Sequence, residues 1–171
     1  MSAGSPLVPA NHERRIRELE LRALRPLLAF ALWLEAFGFA FASFLHTGAR
    51  LEFLPRFFQD PRIVGATVVE GLCALLLAAA AQVTNSAPAA WSMAVGAEVF
   101  SICADIFGMV LIGLGLGPDS PFNFLFHRIG IAVLLLVLVA LLTAPGKAAL
   151  RPQPADRSAQ SSSPVISGRQ T

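Results

Sequence analysis

The sequence predicts an all-α fold, an integral membrane four-helix bundle running up-down-up-down, preceded by an N-terminal amphipathic interfacial helix. Three observations carry this expectation. Of 171 residues, 55% are apolar and only 14% charged, about half the charged share of a soluble domain. Four apolar runs stand out, near 27–46, 61–83, 88–112 and 121–143, with lengths of 20, 23, 25 and 23 residues. About 20 helical residues cross a hydrocarbon layer about 30 Å thick. No run alternates apolar and polar residues with period two, so helices rather than barrel strands must satisfy the backbone in lipid.

The chain divides into a cytoplasmic N-terminal segment (1–26), the four-span region (27–143) and a tail (144–171). Within the first segment, Ile16, Leu19, Ala23 and Leu27 fall on one helical face and Arg14, Arg22 and Arg25 on the other. This suits a helix lying in the membrane plane with its arginines at anionic headgroups. The plainer alternative is a solvated basic flank. Pro26 opens the first run. Ala40-Phe41-Ala42 fits a signal-peptidase site, but Glu35 interrupts the run and the preceding segment is too long for a leader.

Helix punctuation marks the later boundaries. Asp60-Pro61 and Ser120-Pro121 supply an N-cap and a first-turn proline for runs two and four. Pro88 opens run three, and Gly113, Gly115, Gly117 and Pro118 end it. The first loop carries Phe53, Phe57 and Phe58, suited to the outer interface. Links of about 14, 4 and 8 residues make consecutive spans antiparallel neighbours.

Basic residues set the expected orientation. Residues 1–26 hold five arginines and the tail holds Lys147, Arg151, Arg157 and Arg169, whereas the link 84–87 holds no Lys or Arg. The opposite side has Arg50 and Arg56, with Arg62 and Arg128 near helix ends. Both termini are therefore expected on the cytoplasmic side of a cell membrane. The Pro-, Ser- and Gln-rich tail is expected to be disordered from about residue 145. A net charge of +2 excludes a nucleic-acid partner as the organising theme. Cys73 and Cys103 both fall within apolar runs and read as buried thiols.

The chemistry lies in polar residues at membrane depth, namely Glu35, Glu70, Glu98, Asp105, His46 and His127. Such groups are costly in lipid, so they face the bundle interior. At 1.5 Å per residue, Glu70, Asp105 and His127 lie roughly 13, 10 and 9 Å below the outer helix ends. They are expected to meet there, with Thr67, Ser101 and Asn123 nearby. Glu35 and Glu98 form an inner pair at similar depth. Glu98 and Asp105, seven apart, share a face, as do Glu35 and His46, and Asn123 and His127.

With no lysine in any run, these carboxyls must be protonated, share protons or bind a cation. Glu70, Asp105 and His127 together suit a divalent first-row metal or a proton relay. The alternative role for the whole set is interhelical hydrogen bonding. His46, at a helix end, reads as an interfacial histidine rather than a ligand. Two histidines on neighbouring helices invite a haem, but the depths of His46 and His127 differ by about 9 Å, which argues against it. Thr67, Gly71, Ala74 and Ala78 form a small-residue ridge for close packing. Leu134–Leu142 looks lipid-facing or partner-facing, and Trp91 fits an interfacial anchor. There is no phosphate loop, CxxC or HExxH, so no motif points to an enzyme.

Val69-Glu70-Gly71 before a Leu/Ala-rich stretch, and Asn123-x-x-x-His127-Arg128 at the start of run four, resemble segments of bacterial four-span proteins grouped as DoxX-like. The resemblance implies the four-span plan and, for some members, association with quinone-linked sulfur oxidation. Three functional readings follow. The first is a small transporter or accessory subunit whose buried acids handle protons or a cation. The second is an assembly subunit of a larger membrane complex. The third, implied by the resemblance, is a redox subunit contacting quinone or haem. The expected partners are the lipid bilayer and either further copies of the chain or a larger complex.

Overall fold

The structure is a computed structural model and describes residues 10–49, 52–53, 55, 62–86, 88–117 and 121–151. Its elements are α1 (Ala10–His46), α2 (Val64–Val83), α3 (Ala90–Gly113), α4 (Pro121–Leu142) and α5 (Ala144–Ala149). The first four helices are each long and apolar enough to cross a membrane. They pack in a ring, with α1 against α2, α2 against α3, α3 against α4, and a lighter contact closing α4 on α1. The fold is thus the expected all-α four-helix bundle.

Its burial is inverted relative to a water-soluble bundle. Phe30, Trp33, Phe37, Leu75, Phe107, Leu136 and Val139 are among many large apolar side chains on the outside, while Glu35, His46, Glu70, Glu98, Ser101, Asp105, Asn123 and His127 are buried. A soluble surface rarely exposes so much contiguous apolar area. In lipid the same arrangement is the stable one, because buried polar groups find partners and apolar ones meet acyl chains.

The core is also divided along the bundle axis. Leu28, Leu32, Leu77, Ala94, Val137 and Leu141 fill the end where α1 begins and α2 ends. Apart from Thr84, the buried polar residues occupy the middle and the opposite end. Gly71 permits close packing of α1 on α2, since a Cβ there would stand 3.3 Å from Ser43 Oγ. Ser43 in turn donates to the Thr67 carbonyl at 2.7 Å.

Four sequence expectations are corrected. First, the N-terminal segment is not a separate helix, because α1 runs unbroken through Pro26. The proline removes one intrahelical hydrogen bond, yet Leu21 and Leu24 pack on the core and Arg25 Nε donates to the Ala149 carbonyl at 2.7 Å. These tertiary contacts tie the stretch before the proline to the bundle. The face that packs is therefore the one bearing Leu21, Leu24 and Leu28, while Ile16, Leu19 and Leu27 are exposed.

Second, residues 144–149 are helical, and Ala149 and Leu150 are buried. Thr143 caps this helix by accepting from Gly146 N at 3.2 Å. Trp91 Nε1 donates to the Leu141 carbonyl at 2.9 Å, and Lys147 Nζ lies 4.6 Å from the Trp91 ring centre. Trp91 is thus a clamp between α3, α4 and α5. Third, Cys103 is exposed, and only Cys73 is buried. Fourth, Leu134–Leu142 is not one outer face, because Leu134, Val137 and Leu141 are core.

At the boundaries, α2 starts at Val64, and Pro121 is the first residue of α4. The glycine-rich end of α3 closes as expected. Gly115 adopts φ +70°, Gly115 N bonds the Ile112 carbonyl at 2.9 Å and Leu116 N bonds the Leu111 carbonyl at 2.9 Å, which is the Schellman arrangement. Asp60, Pro61, Ser120, Arg50, Arg56, Phe57, Phe58, Pro118 and the tail from 152 lie outside the described residues.

Candidate functional site

The site is built at the end of the bundle where α1 and α3 finish and α2 and α4 begin. A turn first anchors α1 to α2: Gly48, at φ +79°, lets the chain leave α1, and Ile63 N donates to the His46 carbonyl at 2.9 Å. This backbone tie sets His46 beside the first turns of α2. His46 Nδ1 then lies 2.7 Å from Glu70 Oε2, with both side chains buried. His46 is therefore not the interfacial residue its place in the sequence suggests. It is one half of an imidazole–carboxyl pair.

A second pair joins α3 to α4. His127 Nδ1 lies 2.9 Å from Asp105 Oδ1, and Asp105 is 1% exposed. Two glycines make room for it. A Cβ on Gly108 would stand 3.1 Å from His127 Cε1, and a Cβ on Gly130 would stand 2.6 Å from Asp105 Oδ2. The arrangement is reciprocal. Asp105 and Gly108 are three apart on α3, His127 and Gly130 are three apart on α4, and each polar side chain rests against the other helix's glycine. Sequence reasoning missed both glycines. The signal was present as Asp-x-x-Gly and His-x-x-Gly on antiparallel neighbours.

Both pairs line a single cavity of about 170 Å³, whose wall also includes Asn123, Val69, Phe107 and Leu111. At about 30 Å³ per molecule, this holds several waters. The expected meeting of Glu70, Asp105 and His127 is thus realised as a shared cavity but not as one cluster. Glu70 is bound to His46, Asp105 to His127, and among the described residues no group of three His, Cys, Asp or Glu is placed to hold a metal ion. Depth alone could not select these partners, because helix rotation and the glycine notches decide them.

Thr67 and Ser101 also depart from expectation. Thr67 Oγ1 bonds its own helix at the Ile63 carbonyl, 3.1 Å away, and its side chain is not part of the cavity wall. Ser101 is fully buried and faces the Cys73 thiol of α2. Deeper in the bundle, Glu35 of α1 and Glu98 of α3 are both buried and neighbour each other across the ring. Among the described residues, none of their four carboxyl oxygens has a hydrogen-bond partner.

A second cavity, of about 290 Å³, is bordered by both Glu35 and Asp105. Asp105 therefore stands between the two cavities, with Oδ1 on His127 and Oδ2 without a hydrogen-bond partner. The polar groups form a series: the first cavity with its two imidazole–carboxyl pairs, then Asp105, then Glu35 and Glu98. From Asp105 to Glu98 this descends about 10 Å along α3. Below it lies the apolar layer of Leu32, Leu77, Ala94 and Leu141.

Chemically, each histidine can donate Nδ1–H to its carboxylate, which fixes its tautomer and leaves Nε2 as the basic nitrogen. No protein-family model matches the chain, and it matches no curated protein and no solved structure.

Proposed function

We propose that the chain is a small multi-pass membrane protein that loads and releases protons through the cavity between its helix ends, as a transporter component or an accessory subunit. One observation carries the reading: two imidazole–carboxyl pairs, contributed by four different helices, face one cavity. Pairing each histidine with one carboxyl favours a proton over a metal ion, which would need three or more donors converging. The basic flanks favour cytoplasmic termini by the positive-inside rule, and in that orientation the cavity faces outward.

The polar series ends at an apolar layer, so the site communicates with one side only. It acts as a proton-loading site rather than a through-going pore. Four helices leave little room for alternating access, so the chain works with further copies or a partner. The DoxX-like resemblance stays within this frame as a proposal of kinship.

Infrared difference spectroscopy on the reconstituted protein tests the reading. Between about pH 4 and pH 9, which spans carboxyl and imidazole titration, a buried carboxyl band should appear and vanish. Asp105→Asn should remove part of it while helicity is retained. A purely structural role expects no titrating band and a nearly silent Asp105→Asn, since an amide and a protonated acid bond alike. That outcome would overturn the proposal.

A further inference from the structure

The second cavity lies in the seam between α1 and α4, the lightest of the helix contacts in the ring. Its upper walls are Leu34, Leu125 and Ile129, all exposed on the outer apolar surface of the bundle. Its floor holds Glu35, 8% exposed, and Asp105, 1% exposed. Among the described residues, Asp105 Oδ2 and both Glu35 oxygens have no hydrogen-bond partner.

Glycines keep the seam open. At Gly38 a Cβ would meet nothing within 4 Å, and at Gly130 a Cβ would press on Asp105 Oδ2. Both glycines border the cavity. Among the described residues, no Lys or Arg borders it. The result is an apolar cleft, open to the bilayer side, that ends on two acids with vacant acceptor positions.

We propose that this α1–α4 cleft binds a lipid-soluble organic ammonium, its N–H donors meeting Asp105 Oδ2 and Glu35 and its apolar body lying between the two helices. The walls offer a hydrated metal ion no polar ligands to replace its water. A neutral alcohol would satisfy one acceptor but leave the acidic floor without counter-charge. An ammonium provides both donors and charge, and bonds to charged groups are the stronger class. A volume of about 290 Å³ sits at the lower end of small-molecule sites, which suits a single-ring amine. The inference rests on the membrane placement proposed above, but not on proton loading.

The test uses the full chain in lipid nanodiscs and tritiated 3-phenylpropylamine, with empty nanodiscs subtracted for partitioning. Saturable binding is expected, displaced by unlabelled amine but not by 3-phenylpropanol. Glu35→Gln and Asp105→Asn should each weaken it about tenfold or more, the usual cost of losing a charged hydrogen-bond partner. Gly38→Leu, which places its side chain in open space, should abolish binding while helicity and elution stay native. Uptake no greater than in empty nanodiscs, equal displacement by the alcohol, or full binding in Gly38→Leu would each overturn the proposal. A titrating Asp105 carboxyl without amine binding would overturn this inference alone. Amine binding without a titrating carboxyl would overturn only the proton reading.

Discussion

Three glycine-to-alanine changes should separate into a graded series set by the space around each. In a helix interior, Gly→Ala is favourable by about 1 kcal/mol. At Gly38 the added methyl meets nothing within 4 Å, so that gain should appear in full. At Gly108 the methyl would lie 3.1 Å from His127 Cε1, against 3.4 Å for ordinary contact. The imidazole must yield by a few tenths of an ångström, and the gain should be roughly cancelled. At Gly130 the methyl would lie 2.6 Å from Asp105 Oδ2, 0.8 Å short of ordinary contact. A carboxyl that turns by this much carries the 2.9 Å bond to His127 toward the limit of a hydrogen bond. Losing a bond between ionisable partners costs about 1.5–3 kcal/mol, so the net change should be a destabilisation of about 0.5–2 kcal/mol. Unfolding followed by circular dichroism in mixed maltoside and dodecyl sulfate micelles measures the series. The expected order of stability is Gly38→Ala, then Gly108→Ala, then Gly130→Ala. If Gly130→Ala were as stable as Gly38→Ala, the reciprocal glycine notches would not be what positions Asp105 and His127.

Two further predictions follow from the other end of the bundle and from the thiols. Arg25→Ala removes the 2.7 Å bond to the Ala149 carbonyl, worth about 1–2 kcal/mol, so amide exchange over residues 147–151 should speed up roughly tenfold; unchanged exchange would mean α5 is held by packing alone. A lipid-soluble maleimide should label exposed Cys103 and spare Cys73, which is fully buried, and equal labelling rates would contradict the tight α2 core.

The sequence carried the architecture because its signals were strong and local. Run length, Pro121 at the first position of α4 and the glycines after Ile112 marked the helices, and the depth count put Glu70, Asp105 and His127 at one level; α2, however, starts at Val64 with Ile63 at its N-cap rather than at Pro61. It failed where tertiary contact overrides local preference. Pro26 reads as a start, yet α1 continues because Arg25 and Leu28 find partners on the far side. Ala144–Ala149 reads as the edge of a polar tail, yet Thr143 and Trp91 fold it against the bundle. The pairing of His46 with Glu70 escaped because it depends on a backbone bond between Ile63 and His46 across a loop, which no periodicity encodes.

The unbroken α1 has a mechanical consequence. Its 37 residues make a rod about 55 Å long, nearly twice the thickness of a hydrocarbon layer of about 30 Å. Residues 12–20 are exposed along their length. The same shaft carries Glu35 at its middle and His46 at its tip. A torque or tilt applied to the charged handle at Arg14–Glu20 is therefore delivered, without any intervening joint but the missing backbone bond at Pro26, to one wall of each cavity.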